Sequence, residues 1–501
     1  MLTKGRFRPP AVWFAGGALF VLLATANAAG YRYGVSDQAF YLPVITRALD
    51  ADAFPRDGSL IDAQGRLMLL DEVLAAVVRT TGVSLEVLSL AGYLLSLAMI
   101  WIGIVLIGTR VYARPWATLA LGAAFTLRHR ISRTSANSFE PYFHPRMVAF
   151  GLGLLAMAAV LRRRPWLAVG LVAVSAVVHI TTAIWFAVLL GVALAILDTR
   201  FRTLGMTGAV TGLLIVFWAA LTGPLQGALV EMDEPWLQAV ASKDSLFAND
   251  WPVWAWAANL GMLAVLWGAH RWRQRRGHAT PEDTAIVWGA TGLVALFLIT
   301  LPAVAAGLSL AVQFQISRVF WLVDFVATVY LVAVIADSRA AVGPAGPPRL
   351  PVIVAMVLVA FSVSRGAYIM LVEQPDRALF AMRVPDTPWE DAMRWIARQP
   401  RDVHVLADPG HAWKYGTSVR VSAARDVLLE EVKDSALAIY SRDVAVRFVE
   451  RTTALGDFGA MNASHAVALA QRYDLDYLVT EAELALPLTY RNQQFRVYSL
   501  Q

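Results

Sequence analysis

The sequence predicts a polytopic α-helical membrane protein of about eleven spans with a C-terminal extracytoplasmic α/β domain. Three observations predict it. Apolar residues make up 57% of the 501-residue chain and charged residues only 16%, at a mean hydropathy of +0.54, and the apolar excess lies in long uninterrupted runs. Arginine-rich clusters recur between those runs. Beyond Gln374 the composition changes: charged residues become frequent and apolar runs shorten, as in a domain that packs its own core.

Taken as helices of roughly 17–25 residues, the runs lie near 11–30, 85–109, 111–127, 147–161, 165–180, 181–197, 204–222, 252–270, 284–306, 316–336 and 350–372. The first follows Lys4, Arg6 and Arg8, and its length favours a retained span over a cleaved signal peptide. With the N-terminus cytoplasmic, Arg110 and Arg114, Arg162 to Arg164, Arg200 and Arg202, Arg271 to Arg276, and Arg339 and Arg349 fall on the cytoplasmic side. The outer face then receives residues 31–84, 128–146, the turn at His179, residues 223–250 and the tail. The expected division is a helical domain, 1–372, whose first outer loop is 31–84, and a soluble domain, 373–501. Residues 340–348, rich in Gly, Pro and Ala, read as a cytoplasmic connector.

In the tail, 388–398 has helical spacing of Trp389, Met393 and Ile396, 403–407 reads as a strand entering the turn 408–410, 426–450 and 462–473 read as helices, and 477–480 and 495–500 as strands. Alternation of helix and strand implies an α/β domain. The net charge of +6 resides in the clusters that orient the spans, so no nucleic-acid partner is expected. The absence of cysteine excludes disulfides, thiolate metal sites and thiol catalysis.

Candidate chemistry gathers on the outer face. Asp37 lies just after the first span, among Tyr31, Tyr33, Phe40 and Tyr41; the plain alternative is an Asp capping a helix at the membrane boundary. Residues 128–146 form the most polar stretch of the membrane half, with Glu140, His144 and Arg146 leading into a span. Arg holds two phosphate oxygens at once, so this set suits an anionic head group, while loop anchoring at the lipid surface is the plainer role. His179 ends one run, where it serves either packing or substrate, and Arg318 opens another, where an ionised side chain must face a cavity, a partner or a lipid phosphate. Asp324 reads as a helix-packing acid, and Lys433 either reaches toward the membrane site or, as the plainer reading, belongs to a solvated helix face. No local spacing builds a zinc site, and neither metal nor cofactor is expected.

The order of these features resembles the C-type (GT-C) integral-membrane glycosyltransferase superfamily, in its bacterial members that use polyprenyl-phosphate sugars. The resemblance is carried by Tyr-x-Tyr-x-x-x-Asp-Gln-x-x-Tyr-x-x-x-Ile from Tyr31 to Ile45, Phe54 to Asp57, Phe143 to Arg146, His179, the Gln-x-Ser-Arg ending at Arg318, and the Pro-Trp helix opening the tail at Pro388. It implies Asp37 as the catalytic acid or base and Asp57 as a second acidic candidate. Asp37 is followed by Gln38 and not by the second acid of many metal-using relatives, which implies a metal-independent reaction. The tail lacks the Trp-Trp-Asp-Tyr-Gly motif of oligosaccharyltransferase catalytic subunits, which argues against peptide-asparagine glycosylation.

The expected function is transfer of a sugar from a polyprenyl-phosphate carrier to a saccharide, lipid or protein acceptor of the envelope, by a multi-pass protein of the bacterial inner membrane in contact with its lipids. The chemistry agrees: a carboxylate serves as base for the acceptor hydroxyl, and Arg and His stabilise the departing phosphate. A flippase-like binder of a lipid-linked saccharide and a non-catalytic scaffold are the alternatives.

Overall fold

The computed structural model describes residues 10–65, 69–223, 225–226, 228–337 and 349–501. Lys4, Arg6, Arg8, Arg339 and the connector 340–348 lie outside the described residues. The chain forms two compact units: one from residues up to Tyr31 with Ala91–Leu229 and Asp244–Leu379, the other from Arg32–Leu90, Val230–Lys243 and Phe380–Gln501.

In the first unit every apolar run is helical, because backbone groups in hydrocarbon must be paired within their own segment. Among the described residues six helices are long and apolar enough to cross a membrane: Leu85–Val111, Ile180–Leu197, Arg200–Thr222, Pro281–Ala305, Ser309–Ile335 and Val352–Glu373. The apolar helices Ala11–Asn27, Pro145–Leu161 and Pro165–Val178 are shorter. Pro115–Thr126, at 12 residues, rises about 18 Å against a hydrocarbon core of about 30 Å. Val253–Arg275 carries His270, Arg271, Arg273 and Arg275 in its last turns. Proline opens Pro115–Thr126, Pro145–Leu161, Pro165–Val178 and Pro281–Ala305, where its missing N–H costs nothing.

Glycine sets the helix contacts. A Cβ on Gly153 would lie 2.1 Å from the Phe186 ring, and one on Gly289 2.2 Å from the Leu189 carbonyl oxygen. The helices therefore meet at backbone distance. Past the C-terminal end of Pro145–Leu161, Glu282 accepts from Arg110 at 3.3 Å and from Arg163, while Asp283 accepts from Arg273 at 3.3 Å and from the Tyr330 hydroxyl at 3.0 Å. The opposite end of that helix holds His144 and Arg146.

The second unit is built on a five-stranded sheet. Its order is Asp426–Val427, His404–Ala407, Tyr477–Thr480, Arg496–Ser499 and Leu488–Arg491; the first three strands are parallel, and Arg496–Ser499 runs antiparallel to both of its neighbours. Side chains alternate between two cores. Val405, Val427, Val479 and Val497 pack with Trp389, Met393 and Ile396 on one face, and Leu406, Leu428, Leu478 and Tyr498 with Leu469 and Leu455 on the other.

The segment 426–450, expected to be one helix, is divided. Asp426–Val427 pairs with His404 and Val405 as an edge strand, and the rest splits into Glu431–Leu437 and Arg442–Leu455, with the Ser441 hydroxyl capping the latter. Pairing with a distant strand overrides the local helical preference. The strand Leu488–Arg491 was not expected. Residues 32–90 form helices Gln38–Leu49, Gly58–Gly65 and Leu70–Thr81 within this same unit.

Candidate functional site

Asp37 stands at the N-cap position of Gln38–Leu49, after Gly34 (φ 81°) and Ser36 (φ 53°), both in the left-handed region. A non-glycine residue there stores strain of the kind found around functional groups. Yet Asp37 makes no side-chain cap bond. Its Oδ1 accepts from Lys433 Nζ at 2.9 Å, the two side chains being 31% and 7% exposed. The Lys433 ammonium also lies 5.4 Å from the centre of the Phe40 ring. Lys433 is therefore buried on an ion pair, not part of a solvated helix face. Lys243 donates to the Val432 carbonyl at 3.0 Å and lies within electrostatic reach of Lys433, Asp37 and Glu431.

Asp57 is enclosed. Its carboxylate accepts from Arg420 Nε at 2.8 Å, from Arg447 and from the Val427 amide at 3.2 Å, while the Arg56 and Asp57 amides each donate to the Asp426 carboxylate at 3.0 Å. Burial would push the Asp57 carboxyl up, but Arg420 and Arg447 outweigh it and hold it well below the usual carboxylate range. Phe54, nearly fully buried with φ 57°, turns the chain into this contact. The Phe54 to Asp57 stretch thus locks the first loop onto an edge strand. Arg420 continues the network to Asp434 at 2.6 Å.

In the first unit, the five expected substrate residues converge. Glu140, His144 and Arg146 are buried, and Arg146 donates to Glu140 at 2.7 Å; Asn137 Nδ2 donates to Glu140 at 3.3 Å, and Arg128 lies 3.8 Å from it. The Arg146 guanidinium sits 5.5 Å over Trp321, which stacks on Phe150. His144 caps Pro145–Leu161 by accepting the Arg146 amide at Nδ1, and His179 caps Ile180–Leu197 by accepting the Thr182 amide and hydroxyl at Nδ1. A neutral ring that accepts at Nδ1 carries its proton on Nε2, so both histidines present an N–H donor. Their ring centres are 6.3 Å apart, and His144, Arg146 and Arg318 all act electrostatically on His179. Arg318 follows Gln315, whose φ of 48° is again left-handed. The arrangement is a set of N–H donors and two guanidiniums with Glu140 as internal counter-charge, which is suited to an oxyanion.

Two pairings escaped the sequence. Asp324, expected to be a packing acid, accepts from His129 Nε2 at 2.9 Å, while His129 Nδ1 faces the Leu127 carbonyl at 3.1 Å. Both nitrogens face acceptors, and the bond to Asp324 pushes the imidazole pKa up against the effect of burial. An acid inside an apolar run was the available signal. The other pairing, Lys433 with Asp37, spans 396 positions and leaves no local signal.

No protein-family model matches the chain, and no curated protein matches it. Among solved structures, the apo oligosaccharyltransferase of Archaeoglobus fulgidus is 12% identical over 94% of this chain and 69% of its own, with a TM-score of 0.49. The arabinofuranosyltransferase AftD from Mycobacteria is 12% identical over 98% of this chain, with a TM-score of 0.50; the chain spans 40% of that protein's length. Likeness at this identity speaks for the fold. The chain thus shares its fold with AftD, and it is a multi-pass membrane protein with a C-terminal sheet domain, as the sequence predicts.

Proposed function

We propose that the protein is a membrane glycosyltransferase that moves a sugar from a polyprenyl-phosphate carrier to an envelope acceptor on the outer face of a bacterial inner membrane. The observation that carries the reading is the gathering of His144, Arg146, His179 and Arg318 at one end of the helical unit, residue types that recognise a phosphate oxyanion. These residues, with Glu140 holding Arg146, are assigned to the carrier phosphate, whose charge grows as the glycosidic bond breaks. Asp37 is assigned as the base for the acceptor hydroxyl, because its carboxylate is partly exposed and does not cap its helix. Asp57, buried against Arg420 and Arg447, supports the loop that carries Asp37 and does not touch substrate. The neighbour of Asp37 is an ammonium and not a second carboxylate, which favours a metal-independent reaction. The arginines gathered around Glu282 and Asp283 favour a cytoplasmic location for that end of the bundle.

The test is transfer of radiolabelled sugar from polyprenyl-phosphate donors in proteoliposomes. Native protein yields labelled product with chelator present, and Asp37→Asn lowers the rate by about 100-fold or more. Full activity of Asp37→Asn removes Asp37 as the base. Donor lipid bound without transfer would instead favour a carrier-binding protein.

A further inference from the structure

We propose that Lys433 is the positioning residue for Asp37: it holds the base carboxylate in one orientation. The inference rests on the transferase reading above. Asp37 has helical backbone angles (φ −68°, ψ −13°), unlike a capping residue, and the amides of Ala39, Phe40 and Tyr41 already donate to the Ser36 and Asp37 carbonyls. The Asp37 carboxylate therefore makes no cap bond, and Lys433, remote in sequence, donates to it at 2.9 Å. A buried ammonium is retained only when paired, and the partners of Lys433 are Asp37 and the face of Phe40, which belongs to the first turn of the same helix. One side chain thus fixes both the carboxylate and the helix that bears it.

Lys433 is itself fixed from below. Its amide donates to the Glu430 carbonyl at 3.1 Å, and the Glu430 amide donates to Asp434 Oδ2 at 3.0 Å. Asp434 is held by Arg420 at 2.6 Å, and Arg420 by Asp57 at 2.8 Å. The four methylenes of a lysine cost rotamer entropy to order, and here the cost falls on a side chain whose polar end reaches a candidate base. The charged groups around the pair are Lys243, Glu431 and Glu430. Lys243 is anchored on the Val432 carbonyl at 3.0 Å, so it adds charge near Asp37 while Lys433 supplies the bond. A general base displaced by about 1 Å loses on the order of 100-fold in rate, so the position of this carboxylate is where a supporting residue acts.

The experiment measures transfer from a panel of radiolabelled polyprenyl-phosphate pentoses and hexoses by the full chain in proteoliposomes, comparing native protein with Asp37→Asn, Lys433→Met and Lys433→Arg. Lys433→Met is expected to lower kcat by about 100-fold while the donor KM stays within about twofold, and Lys433→Arg to recover to within about tenfold of native. Thermal unfolding verifies the fold of each variant, and Lys433→Gln replaces Lys433→Met if the latter does not fold. With Asp37→Asn inactive, a native kcat in Lys433→Met, a loss carried by KM alone, or no recovery in Lys433→Arg overturns the role of Lys433 and leaves the transferase reading standing. Product from Asp37→Asn at the native rate, or none from native protein with any donor, overturns that reading and the role of Lys433 with it.

Discussion

Glu430 has no exposed surface and accepts from Ser418 in the middle of the second unit, with Arg420 and His411 beside it. Burial first, with Asp434 adding to it and Arg420 opposing, pushes its carboxyl from 4.5 up to about 7. The folded state then keeps a proton that the unfolded chain releases. The stability contributed by Glu430 is fully present below pH 4.5 and is lost as the pH rises through about 7. His404 and His411, pushed from 6.5 down to about 4 chiefly by burial, have the opposite sign: their contribution is present above 6.5 and is lost as the pH falls through 4. Glu430→Gln removes one side of this balance. Its unfolding midpoint should exceed that of native protein above about pH 7, with the gap closing near about pH 5. A gap of constant size across a calorimetric pH series would contradict the assignment.

Secondary-structure elements in the two units are held by different physics. In the helical unit, small residues let backbones touch: Gly289 meets a carbonyl oxygen of the helix Ile180–Leu197, which cannot rotate away as a side chain could. Gly289→Ala should therefore force those helices apart and cost about 1–3 kcal/mol. Gly261→Ala, on Val253–Arg275 with open space around it, should be neutral or stabilising by up to about 1 kcal/mol. Unfolding midpoints of the two variants in detergent check the contrast, and equal midpoints would refute it. The helix Arg200–Thr222 is the other extreme: Leu213, Leu214, Phe217 and Trp218 are exposed along it, a composition suited to hydrocarbon on most sides. In the second unit the elements close on side-chain charge as well as on apolar faces, as where Asp426 and Asp57 bind the start of Gly58–Gly65 to the sheet.

The whole molecule is a discontinuous assembly. The unit around the sheet takes in residues 32–90 and 230–243, tied by the Trp236 indole to the Ala438 carbonyl at 2.7 Å, by Arg401 to Asp50 at 2.7 Å and by Arg442 to Asp233 at 2.5 Å. A chain ending at residue 379 lacks every sheet partner of the first loop. Limited proteolysis of that truncated protein should cut within 32–90 while the membrane-spanning helices stay protected; protection of the loop would show that it folds without the terminal residues.

How much of this could be read in the sequence follows from the range of the forces involved. The helices were legible because a chain in hydrocarbon pairs its backbone four residues away, so composition along one short run decides the outcome. Asp37, Glu140, His144, Arg146, His179 and Arg318 were legible as residue types placed at the ends of apolar runs, where an ionised group needs a reason to be. Their partners were not. The edge strand at Asp426 pairs with a strand beyond the reach of local periodicity, and the enclosure of Asp57 by Arg420 and Arg447 and the bond from Lys433 to Asp37 join positions one hydrogen-bond length apart in space and hundreds of residues apart in sequence. Hydrophobic periodicity records which face of an element is buried, but a single buried ion pair has no period. Local composition therefore determined the membrane architecture and the types of residue at the candidate site, while tertiary packing alone decided which charges meet, because burial and pairing of a charge are settled only when both chain segments are folded.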